Sequence, residues 1–163
     1  MKTAISILKE DDEELAAEVE RLESMLEDID HPLADGDALA DATESFRRSF
    51  VIHAKTRRDV LYPALAAHRR ARAIARQGEE ELELARLLLD RLTEGPLDAE
   101  VVVARGRLLL ELVERHLERE QDELLPRVRK LDDIEIERVG EALLAIRGDL
   151  AEAIDQQRHE VQR

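Results

Sequence analysis

From residue 5 onward the chain alternates apolar and polar positions at steps of three and four. Ile5, Leu8, Asp12, Leu15, Val19, Leu22, Leu26 and Ile29 fall on one face of a predicted helix. Asp12 is the discordant member of this stripe. A carboxylate where a bundle helix offers leucine means either that the helix turns there or that the interior uses the charge. The stretch DIDHPLADGD, with Pro32 and Gly36, breaks the helix, and a second begins near Asp37 to Asp41. It carries Leu39, Ala42, Phe46, Phe50 or Ser49, His53, Arg57 and Val60 or Leu61 inward, and meets Pro63, which ends or kinks it.

A third periodic segment, residues 71–93, reads Ala75, Gly78, Leu82, Ala85, Leu89 and Leu92, an apolar interior that stops at Gly95-Pro96. The fourth carries Val101, Ala104 or Arg105, Leu108, Leu109, Leu112, Val113, His116, Glu120 and Leu124 up to Pro126. A last stripe runs Ile136, Val139, Leu143, Ile146, Leu150 and Ile154. Short connections between such helices predict an all-α, antiparallel up-and-down four-helix bundle with an additional C-terminal helix.

Composition narrows the class. A length of 163 residues fits one domain spanning 1–163, and 2% aromatics with 6 Gly and 4 Pro argue against sandwiches and barrels. A net charge of −14 disfavours nucleic acid and anionic membranes as partners. Charges interrupt every apolar run well short of the roughly 20 residues a membrane helix needs, so no membrane span is expected and the protein reads as cytoplasmic. With no cysteine, a metal would have only His and carboxylate ligands. The sequence shows no Ser-His-Asp order, Gly-rich phosphate loop or HExxH, so no enzyme activity is expected. Residues 47–76 hold nine Lys or Arg against the single acid Asp59, a segment suited to an acidic protein partner or to self-association. His31, His68 and His159 fall in turns or at helix ends and are expected at the surface.

One internal echo carries candidate chemistry. HAKTRRDVLYPAL at 53–65 aligns without a gap on HLEREQDELLPRV at 116–128, with His on His, Asp59 on Asp122, Leu61 on Leu124 and Pro63 on Pro126. The position four after His is Arg57 in one copy and Glu120 in the other. His116 and Glu120 share a helical face and can hold one ion between them. If the second and fourth helices face each other, His53 and Asp12 converge on the same place. Arg57 cannot ligate a metal and puts a fixed positive charge where a second ion would need a carboxylate. It can instead pair with Glu120 and Asp12 in a compensated network that needs no metal.

These segments resemble the hemerythrin-like, or HHE cation-binding, family. ILKEDDEEL is similar to its helix-one motif, HAKTRRDVLYPAL to its second, and RHLEREQDELLPRVRK to its fourth. The resemblance implies a four-helix bundle around a non-haem di-iron centre used for dioxygen binding, for oxygen or iron sensing, or in related redox roles. It also implies that the family's helix-one His falls on Asp12, its second-helix His on His53, and the Glu that follows on Arg57. The third-helix His falls near Glu81 or Leu82, with Leu82 favoured by the stripe. The first His of the fourth-helix pair is Arg115, while His116 and Glu120 are retained. The expected reading is therefore a non-catalytic binding or regulatory module with an eroded site and a metal-free polar cluster of Asp12, His53, Arg57, His116 and Glu120. The alternative is a protein holding one Fe, Mn or Zn ion through His53, His116, Glu120 and Asp12.

Overall fold

Each apolar stripe becomes a helix buried along one side. The computed structural model describes residues 2–28, 36–94 and 98–161. Its long helices are α1 (Ala4–Asp28), α2 (Gly36–Thr56), α3 (Arg69–Thr93), α4 (Ala99–Arg119) and α5 (Asp133–Val161). Three of them start on side-chain caps. The Thr3 hydroxyl accepts from the Ser6 N–H at 3.2 Å, Asp98 from Glu100 at 3.0 Å and Asp132 from Glu135 at 2.8 Å, satisfying amides that the first helical turn leaves unpaired. Ile29, His31, Pro32 and the Gly95-Pro96 break lie outside the described residues.

The helices form the antiparallel bundle that the pattern predicts. Helix α1 packs against α2, α4 and α5, and α3 packs against α4. Leu15, Leu22, Leu26, Phe46, Leu89 and Leu109 are among the residues that fill the interior, and Phe46 stacks on Phe50 with ring centroids 6.1 Å apart. At Gly106 a β-carbon would run into the Leu26 side chain, so glycine lets α4 come close to α1.

The stripes shift in detail. In α1, Ala4 and Ile7 are fully buried and Ile5 only half, because the inward face is two residues wide and takes in Asp11 beside Asp12. In α4, Val103, Gly106, Leu109 and Leu110 face the core, whereas Val101 and Leu108, expected inside, are exposed. An apolar residue on the far side of a helix satisfies the three-and-four spacing as well as a core residue does.

The echoed segments fold alike. Past Thr56, α2 widens into a π-helical turn, Arg57–Leu61, followed by one α-turn, Tyr62–Leu65; past Arg119, α4 does the same at Glu120–Leu124 and Leu125–Val128. The Tyr62 N–H donates to the carbonyl of Arg57, and that of Leu125 to Glu120, each five residues back. Pro63 and Pro126 explain the change. Proline has no N–H for the carbonyl four residues earlier, and its ring crowds that carbonyl, so the ladder slips by one residue instead of ending.

Candidate metal centre

The polar residues that interrupted the stripes meet between α1, α2 and α4. Arg57 is fully buried, and its guanidinium is satisfied on every side. Its Nη1 donates to Asp11 Oδ2 at 2.8 Å, Nη2 to Asp12 Oδ1 at 2.5 Å and to the Leu8 carbonyl at 3.1 Å, and Nε to Glu120 Oε2 at 3.0 Å. Asp11 in turn takes Arg147 of α5, with Nε at 3.0 Å from Oδ1.

Beside this network lies a triangle of donors. His53 Nε2 is 3.2 Å from His116 Nε2, and Glu120 Oε1 is 3.9 Å from the first and 3.3 Å from the second. All three residues are buried. The centre of that triangle stands about 2 Å from each corner, matching bonds of roughly 2.0–2.2 Å from zinc to histidine nitrogen or carboxylate oxygen.

The outer ring nitrogens face carboxylates. His116 Nδ1 is 2.9 Å from Glu81 Oε2, which calls for the proton on Nδ1 and leaves Nε2 a bare lone pair aimed into the triangle. His53 Nδ1 lies 3.6 Å from Asp12 Oδ1 and, among the described residues, has no hydrogen-bond partner, and neither has Asp12 Oδ2. Glu81 is steadied by an ion pair with Arg119, and Glu120 Oε1 also accepts from the Tyr62 hydroxyl at 3.2 Å. Glu81 behind His116 is the kind of carboxylate–imidazole contact that fixes ring orientation at metal sites, whereas Asp12 stands beyond hydrogen-bond reach of His53.

Electrostatics separate the carboxyls. Burial pushes Asp12 up to about 8; Arg57 opposes the rise and Glu120 adds to it. Burial also disfavours a charged Glu120, but Arg57, then His53 and His116, outweigh it and hold that carboxyl well below the usual range. His53 is held well below the ordinary imidazole value, by burial first and Arg57 second, and Tyr62 is raised by burial and Glu120.

The structure thus gathers Asp12, His53, Arg57, His116 and Glu120 in one place. It adds Asp11, Glu81, Tyr62 and Arg147, which the stripes did not single out. Leu82 is buried in the core as its stripe predicts, but the preference for it over Glu81 at the third-helix position needs correction, because it is Glu81 that reaches the cluster. Arg115 points away and pairs with Glu111 on the surface. His68 and His159 are exposed. Of the cations in 47–76, Arg47 pairs with Asp90 and Arg48 with Asp155, while Arg57 serves the interior.

Three hard or borderline donors, with no sulfur among them, surround one point and could hold one ion, and beside them lies a guanidinium bonded to three carboxylates. No described helix is long and apolar enough to cross a membrane. The sequence profile of the hemerythrin HHE cation binding domain matches residues 3–128. Neither a curated protein nor a solved structure matches the chain.

Proposed function

The chain belongs to the hemerythrin HHE cation-binding domain family, and on that premise we propose that it is a non-catalytic, one-ion variant of that bundle in which Arg57 stands in for the second cation. The donor triangle of His53, His116 and Glu120, with Glu81 and Asp12 behind the two imidazoles, carries this reading. These three residues would hold Fe, Mn or Zn, and the ion would supply a Lewis-acidic or, for Fe or Mn, a redox-active centre. Glu81 keeps the proton of His116 on Nδ1. Tyr62, donating to Oε1, and Arg57, whose Nε reaches both oxygens, together orient the Glu120 carboxylate. Burial favours the protonated form of Asp12, which lowers the excess negative charge beside Glu120.

A sensing or binding role suits the surroundings better than turnover. The cavity next to His116 and Glu120, lined also by Tyr62, Gly78, Glu81 and Arg119, measures about 10 Å³, room for about one water and not for an organic substrate. A second reading, a metal-free polar core serving as a binding module, draws on the complete satisfaction of Arg57 without any ion.

Elemental analysis of the chain purified from medium supplemented with iron, manganese and zinc tests both. The one-ion reading expects about one equivalent per chain, abolished by His116→Ala. None in any medium would leave the metal-free core, and two per chain would sink both.

A further inference from the structure

Helix α3 carries a second stripe that the bundle does not use. Leu84, 53% exposed, and Leu87, 44% exposed, stand on its solvent side, bracketed by the exposed Glu80 and Arg91 at steps of four, three and four. A lone exposed leucine needs no explanation, but these two have company. On α4, Val101 is 37% and Leu108 57% exposed, and Arg105 donates to the Arg91 carbonyl at 2.8 Å, bringing that side of α4 alongside the stripe.

The charges are the informative part. On the adjacent face of α3, Arg86 pairs with Glu83 at 2.7 Å and with Asp90 at 2.8 Å. Among the described residues, the side chains of Glu80 and Arg91 make no ion pair. The stripe reads acid, leucine, leucine, base, so turning it end for end gives the complementary order. A two-fold axis crossing α3 between Leu84 and Leu87 sets Glu80 against the partner's Arg91 and Leu84 against the partner's Leu87, and repeats both contacts on the other side of the axis. Parallel in-register pairing would instead oppose like charges.

We propose that this stripe is a self-association surface, through which α3 packs antiparallel on α3 of a second copy in an isologous dimer, with Val101 and Leu108 at its margin. It begins one helical turn beyond the basic segment 47–76, whose last cation, Arg76, stands exposed four residues before Glu80 on the same helix, and it does not depend on whether the interior holds an ion. Two leucines per helix make a small apolar contact between chains that each carry −14, so the association should be weak and concentration-dependent.

Sedimentation equilibrium of the full chain across a concentration series tests this. The wild-type mass should climb from 18.6 kDa toward twice that value. Glu80→Arg and Arg91→Glu, each placing like charges opposite one another, should stay monomeric over the same range, with at least a roughly tenfold weaker association. Their equimolar mixture pairs all four charges and should recover the dimer. Leu87→Glu should stay monomeric alone and in mixtures. Far-UV circular dichroism should match the wild type throughout, since all these positions are exposed. A wild type that remains monomeric, single variants that associate like it, or a mixture that stays monomeric would each overturn the proposal.

Discussion

Arg57 and Glu120 occupy the same position in two copies of one motif, each opens a π-helical turn, and their side chains meet in the interior with Nε 3.0 Å from Oε2. The slipped ladder delivers the two residues to the centre of the bundle from opposite sides. A pair related by sequence repetition has become a pair of opposite charge, and this distinguishes the site from a symmetric two-ion centre.

Replacing Arg57 should therefore change how many ions the chain takes up. Arg57→Glu restores a carboxylate four residues after His53, and metal per chain should rise above one by elemental analysis. Arg57→Met strands Asp12 and Glu120 without their cation, leaves Asp11 to Arg147 alone, and should lower the unfolding free energy of the ion-free chain by about 3–5 kcal/mol in urea titrations. Added divalent cation should recover part of that loss, because a ligand that binds only the folded state stabilises it.

Glu81 acts through His116. Glu81→Gln keeps the shape but weakens the hold on the Nδ1 proton, so affinity for one ion should fall about 10–100-fold in competition with a chromophoric chelator. The unfolding midpoint of the ion-free chain should move little, since Glu81 is partly exposed. Unchanged affinity would mean that the 2.9 Å contact does not orient the ring.

The pH dependence of the ion-free chain follows from two opposite shifts. Asp12, raised from 3.8 to about 8, binds its proton more tightly folded than unfolded; its contribution is full below pH 3.8 and is lost as pH rises toward 8. His53, lowered below 6.5, contributes fully above that value and loses as pH falls. Glu120, lowered below 4.5, loses only in acid beyond that value. Between about pH 6.5 and 8 the Asp12 change is unopposed by the other two, so urea midpoints should decline across that interval. Asp12→Asn should flatten the decline.

Gly78 of α3 sits against the Tyr62 ring and hydroxyl, where a β-carbon would collide. Gly78→Ala should push Tyr62 off Glu120 and cost about 1–3 kcal/mol. In a Tyr62→Phe background the same change should cost less, because the hydroxyl in its way is gone. Equal costs in the two backgrounds, read from denaturation as a double-mutant cycle, would mean that the hydroxyl is not what obstructs the new methyl group.

The fold was legible because each helix has a stripe, a cap or a proline at its limits, all local signals. The site was legible where polar residues broke apolar stripes, as Asp12, His53, Arg57, His116 and Glu120 do. Asp11 escaped notice because a stripe drawn one residue wide omits the second buried column of α1. Glu81 is one of two positions onto which the family's third-helix His can fall, and the stripe favours Leu82 over it, because Glu81 lies at the edge of the α3 core face among other glutamates and only its placement beside His116 sets it apart. Arg147 is one arginine on a mostly polar face, and its partner is more than a hundred positions away in the chain. Such residues are selected by tertiary neighbours, which periodicity does not encode.

Arg147 lies past residue 128, where the match to the family profile stops, yet its Nε rests 3.0 Å from a carboxylate that also grips Arg57. The tail helix is thus no passive appendage. Trimming the chain to its recognisable portion would withdraw a counter-charge from Asp11, leaving three acids to share one guanidinium, and an excised fragment would report on a different protein from the intact one.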